Sequence, residues 1–140
     1  MKLLSSRWLP VFLWAAVIFI SSANLDPYKV LPTRLVEPCF STEANSPSCA
    51  ELLGRVLHTG KYAILAVLIS RALIWHRNLR FSNLLIVLGL VELYALSDET
   101  IQLFVPGRTF QLLDLALDLL GGGVGLMLYT LFRKYLQQKS

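Results

Sequence analysis

Apolar residues in this chain gather into four long runs, at about 8–23, 56–75, 81–97 and 110–132, the third with room to continue to Phe104. Runs of this size are on the scale of the roughly 17–25 apolar residues that carry a helix across the hydrocarbon core of a bilayer. The segments between them are polar. A long one, at about 24–55, holds Asp26, Glu37, Glu43, Glu51 and four prolines, and is neither apolar nor periodic. Farther on, Val105-Pro106-Gly107-Arg108 reads as a tight turn. No internal repeat or low-complexity tract interrupts the pattern. The expectation is an all-α fold: a four-helix transmembrane bundle forming one domain over residues 1–140, with the 24–55 segment as an outward loop over one end.

Composition supports this reading. Of 140 residues, 55% are hydrophobic and 16% charged, against about a quarter charged in soluble domains. A soluble chain this short has too little interior to hide so much apolar surface, whereas lipid solvates it directly. Lys and Arg placement sets the orientation. Lys2 and Arg7 flank the first run, Arg71, Arg77 and Arg80 (with His76) crowd the second connection, and Arg133, Lys134 and Lys139 follow the fourth run. Four spans put all three groups on one face, the cytoplasmic one, with both termini inside and the 24–55 loop and the turn at 98–109 outside. The net charge of +4 implies no nucleic-acid partner, because the basic residues form no stripe among aromatics. The first run also resembles a signal peptide ending in Ser21-Ser22-Ala23, but its length and its Trp and Phe content favour a retained anchor. Both readings leave the residues after Ala23 on the same side. Cys39 and Cys49 lie in the outward loop, where an oxidising compartment favours a disulfide over two free thiols, and they carry no zinc-site spacing.

Ionisable groups in or at the rim of a span need a reason, and here they converge. The second run descends from outside, which puts His58 and Tyr62 near its outer end. The third ascends to Asp98, Glu99 and Gln102, and the fourth descends past Asp114 and Asp118, with Arg108 just before it. His58 and Tyr62, Asp98 and Gln102, and Asp114 and Asp118 are each four apart and share a helix face. Glu92 aligns with Glu99 about two turns deeper. Arg108, carried back by the turn, is suited to clamp an anion with two parallel hydrogen bonds. Any one of these residues could be structural: His58 bonded to a carbonyl, Asp98 and Asp114 capping helices or pairing with Arg108, Glu92 satisfied by a neighbouring helix. Their convergence favours a functional site. Gly121 and Gly125 form a small-xxx-small pair that reads as close helix packing.

These residues also carry a resemblance. Leu96-Ser97-Asp98-Glu99-Thr100-Ile101-Gln102, then Val105-Pro106-Gly107-Arg108, then Asp114, is similar to the motif series of the VanZ-like membrane protein family. His58-Thr59-Gly60-Lys61-Tyr62 matches its His-x-x-x-Tyr element, and Leu9-Pro10 through Ser21-Ser22 resembles its opening helix. The likeness spans nearly the whole chain apart from residues 25–53. Two positions depart from it: Asp118 stands where the family usually has Asn, and Gly54-Arg55 where it often has an acid–Lys pair. The resemblance implies a multi-pass protein of the bacterial cytoplasmic (inner) membrane, in a family whose namesake is associated with resistance to the glycopeptide teicoplanin.

Three function classes are open on the residues. The first is an enzyme acting on a lipid or lipid-linked cell-envelope head group. There His58 or Asp98 would be general base, Glu99 or Asp114 proton donor, Arg108 the anion holder, and Gln102, Tyr62 and Asp118 substrate-binding neighbours. Ser97, Thr100 and Tyr62 are nucleophiles by proximity only. The second is binding or transport of an amphiphile or cell-wall precursor without catalysis, with Glu92 relaying protons in a homodimer. The third is a structural unit in which Asp98, Glu99, Asp114 and Asp118 hold a hard cation. The residues call for no cofactor, and no metal is assigned to the site.

Overall fold

The computed structural model describes residues 2–23, 49–74, 80–106 and 110–139, with side chains from Arg7 in the first segment and Gly54 in the second. Among them are four helices and no strand: α1 (Lys2–Ala23), α2 (Cys49–Ile74), α3 (Phe81–Gln102) and α4 (Leu112–Gln138). Two are long and apolar enough to cross a membrane, α2 over Gly54–Ile74 and α4 over Leu112–Gln138, and Arg7–Ala23 is a shorter apolar helix.

The helices outrun the apolar runs that announced them. α2 starts at Cys49, so the last residues of the expected 24–55 loop are helical. Ala50, Glu51, Leu52 and Leu53 are good helix formers, and an acid in a first turn suits the helix dipole. Hydropathy reports where a helix meets lipid, and backbone hydrogen bonding continues past that limit. α4 likewise extends to Gln138, whereas α3 ends at Gln102, within the room the third run had to continue to Phe104. The Cys39–Cys49 pair and its expected disulfide lie outside the described side chains, as does Arg108.

Contacts between helices give an up-down-up-down order. Ser22 near the end of α1 meets Asp98 near the end of α3, and His58 early in α2 meets Asp118 early in α4. At the opposite end, Arg133 Nη1 donates to the carbonyl of Ile74 at 2.9 Å. α1 is fastened across the others by Trp14 Nε1 donating to the Lys61 carbonyl at 2.9 Å and Tyr94 Oη donating to the Ala15 carbonyl at 2.6 Å.

α2 and α4 share the most extensive contact. Gly121 and Gly125 of α4 make it possible. A Cβ at Gly121 would collide with the carbonyl of Thr59, and one at Gly125 with that of Ala63. Two glycines four apart thus sit against two α2 residues four apart, and the backbones approach as only small residues allow. This is the close packing expected of the pair.

The core contains Ile18, Tyr62, Leu65, Ala66, Val87 and Val91 among others. Around it, large apolar side chains face outward along the helices, including Phe12, Leu13, Ile20, Leu93, Leu120, Leu128 and Phe132. Several of the charged side chains are inside: Asp98, Glu99 and Asp118 are 2%, 0% and 0% exposed. Apolar outside and acidic within is the reverse of a water-soluble domain.

Candidate functional site

The inward acids lie at the end of the bundle where α1 and α3 finish and α2 and α4 begin. Helical geometry puts them there. Asp98, Glu99 and Gln102 fall within the last turns of α3, on its buried side. Asp118 lies one turn before Gly122 on the buried face of α4, which also carries Gly121 and Gly125. Close approach of α2 through those glycines sets His58 opposite Asp118, with His58 Nδ1 to Asp118 Oδ1 at 3.2 Å. Lys61, three residues on, reaches His58 Nε2 at 3.5 Å and Asp98 Oδ2 at 3.9 Å. Ser22 Oγ donates to the same Asp98 oxygen at 2.8 Å.

Tyr62 is fully buried, and its hydroxyl has no hydrogen bond among the described residues. Its ring lies 6.5 Å from that of His58, tilted by 38°, and Lys61 Nζ sits 5.8 Å from its centroid. Glu99 is anchored from the other side: its Oε2 accepts the backbone N–H of Gln111 at 3.1 Å. Gln111 is the residue preceding α4, so the end of α3 ties down the start of α4 through one of the N–H groups that helix starts leave unmet. Asp114 lies in the first turn of α4 and is half-buried. Glu92 lies deeper on α3, and its Oε2 is buried without a hydrogen bond among the described residues.

The sequence-predicted residues His58, Tyr62, Asp98, Glu99, Gln102 and Asp118 are therefore drawn to one end, with Asp114 at the edge. Arg108 lies outside the described residues. Ser97 and Thr100, offered as nucleophiles, do not join the cluster. Both are exposed, and their hydroxyls return to their own helix, at the carbonyls of Tyr94 and Leu96, 2.7 Å in each case. That is the usual fate of Ser and Thr within a helix. Two members were not singled out from sequence. Lys61 stands between Gly60 and Tyr62 in an apolar run, but its spacing of three from His58 is a readable cue. Ser22 gives a weaker one, a hydroxyl at the depth where the acids gather.

Such a cluster can exchange protons, bind a polar group, or hold a cation. Charges buried in an apolar bundle are stable only when paired or neutralised. Lys61 and His58 bridge the acids of α3 and α4, and Ser22 supplies a neutral donor.

A small helical bundle with apolar flanks and a buried acid–histidine–lysine cluster at one end is built for lipid surroundings rather than for water. The chain matches the VanZ/LLP1 family model over residues 7–133 and belongs to that family. The match takes in every residue of the cluster. No curated protein and no solved structure matches the chain. Family membership together with two helices able to cross a bilayer marks it as a membrane protein.

Proposed function

We propose that the chain is a four-span protein of the bacterial cytoplasmic (inner) membrane, with both termini inside, whose buried polar site faces outward and acts on a lipid or lipid-linked cell-envelope head group. The observation that carries this reading is the convergence of His58, Lys61, Asp98, Glu99 and Asp118 from three helices at one end of an otherwise apolar bundle. Orientation is supported by the basic residues Arg71, Arg80, Lys134 and Lys139, which are exposed at or beyond the helix ends opposite the site. In chemical terms, His58 is poised between Asp118 and Lys61 as a proton acceptor, a carboxyl of Glu99 or Asp114 is the donor, and Arg108 is the anion clamp. The association of the family's namesake with glycopeptide resistance is consistent with a site facing the compartment of wall precursors.

Mass spectrometry of membrane lipids and lipid-linked precursors tests this. Cells carrying the wild-type chain, no chain, or Asp98→Asn with Arg108→Ala at equal expression are compared. A species that appears or vanishes only with the intact site is expected. Identical profiles in all three strains would overturn catalysis.

A second reading, binding or transport of an amphiphile without chemistry, is favoured by Glu92 alone. It extends the acid series inward with a buried oxygen that has no hydrogen bond among the described residues. Transport requires Glu92→Gln to lose function, whereas head-group chemistry at the outer end tolerates it.

A further inference from the structure

Three side chains in the cluster come from three different helices and point at one spot. A ring nitrogen of His58 (α2), a carboxylate oxygen of Glu99 (α3) and one of Asp118 (α4) all lie within 4.8 Å of one another. Glu99 and Asp118 are fully buried, and one oxygen of each, Glu99 Oε1 and Asp118 Oδ2, has no hydrogen bond among the described residues. A buried carboxylate oxygen with nothing to accept from is costly. Two of them beside one histidine call for a shared positive partner.

We propose that His58, Glu99 and Asp118 together bind one first-row divalent metal ion. Donor atoms held at about 2.1 Å from such an ion stand about 3.0–3.4 Å apart at octahedral to tetrahedral angles. The 3.2 Å between His58 Nδ1 and Asp118 Oδ1 falls in that range. From the 4.8 Å limit, the widest pair needs to draw in by at most roughly 1.8 Å to reach octahedral spacing, within reach of side-chain rotation. Two carboxylates balance the charge of a divalent ion. One imidazole with two carboxylates suits zinc or manganese better than magnesium or calcium, which take oxygen donors alone.

The surrounding contacts are those a metal site uses. Gln111 N–H on Glu99 Oε2 fixes that carboxylate from behind. The glycine contact between α2 and α4 holds the His58 and Asp118 backbones in place before any ion arrives. Lys61 is the built-in alternative: without metal it can donate to His58 Nε2, and with metal it can turn to Asp98, whose Oδ2 is 3.9 Å away. Three protein donors leave positions open for water or an anionic oxygen. The metal site goes beyond the head-group reading and does not depend on it; with an ion bound, the acceptor and donor roles fall to Asp98 and Asp114.

The test uses the full chain, purified in detergent with a tag free of histidine, loaded with zinc or manganese, dialysed, and measured by elemental mass spectrometry. About one ion per chain is expected, falling at least tenfold in Glu99→Gln and in Asp118→Asn. Cobalt added to the wild-type chain should give visible absorption that His58→Ala abolishes, a readout that needs only the wild-type fold to detect binding. Helix content by circular dichroism establishes that the variants are folded. Wild-type protein with no zinc, manganese or cobalt above background would overturn the proposal, as would folded Glu99→Gln and Asp118→Asn proteins that keep the ion. Because no lipid enters the assay, these results are independent of the lipid profiles that test the head-group reading.

Discussion

Asp98 is held by two residues of different kinds, a hydroxyl from α1 and an ammonium from α2. Ser22→Ala removes a short hydrogen bond to a buried carboxylate. It should lower stability by about 1–2 kcal/mol, read as a drop in the unfolding midpoint in detergent, with helix content unchanged. Lys61→Met should abolish the chain-dependent lipid or resistance phenotype as completely as His58→Ala. Lys134→Met, exposed near the end of α4, should leave it intact. The acids and His58 were legible in the sequence because an ionisable residue in an apolar run is conspicuous and because helix direction assigns each a depth. Lys61 was harder to place, since a lone lysine in such a run reads equally well as a side chain reaching for the interface. Ser97 and Thr100 misled because chain proximity to Asp98 says nothing about facing: each is turned to solvent or lipid and bonded to its own helix.

The contact between α2 and α4 governs how closely His58 can approach Asp118, and two glycines govern that contact. Gly121→Ala and Gly125→Ala each push a methyl against an α2 carbonyl. Each should destabilise by about 1–3 kcal/mol and weaken function by prising His58 from Asp118. Gly123→Ala is the control. A Cβ there meets nothing within 4 Å, so helix propensity should make it neutral or stabilising by up to about 1 kcal/mol. Unfolding midpoints of the three variants check the order. The existence of all four helices could be read from the apolar runs, and so could the role of the glycine pair. The start of α2 could not, because residues from Cys49 onward form helix through local propensity while their hydropathy matches a loop. The partner of the glycines, Thr59 and Ala63, also had to come from the structure, since the small-xxx-small pattern names only one side of a contact.

At the scale of the whole molecule, the distribution of polarity is inverted. Large apolar side chains cover the flanks, and carboxylates lie inside at one end. Lipid around the flanks and a polar compartment over that end satisfy both at once. The family match supports a membrane setting, and the direction of the site rests on the basic residues at the far end. Impermeant maleimide labelling of intact bacterial cells decides that direction. With Cys39 and Cys49 replaced by Ser, single cysteines are introduced at Phe104, 83% exposed beyond the end of α3 at the site, and at Ser82, exposed at its opposite end. Labelling of Phe104→Cys in intact cells, with Ser82→Cys reacting only after permeabilisation, is the expected result. The reverse pattern would put the His58–Asp118 cluster on the cytoplasmic side and contradict an outward head-group site.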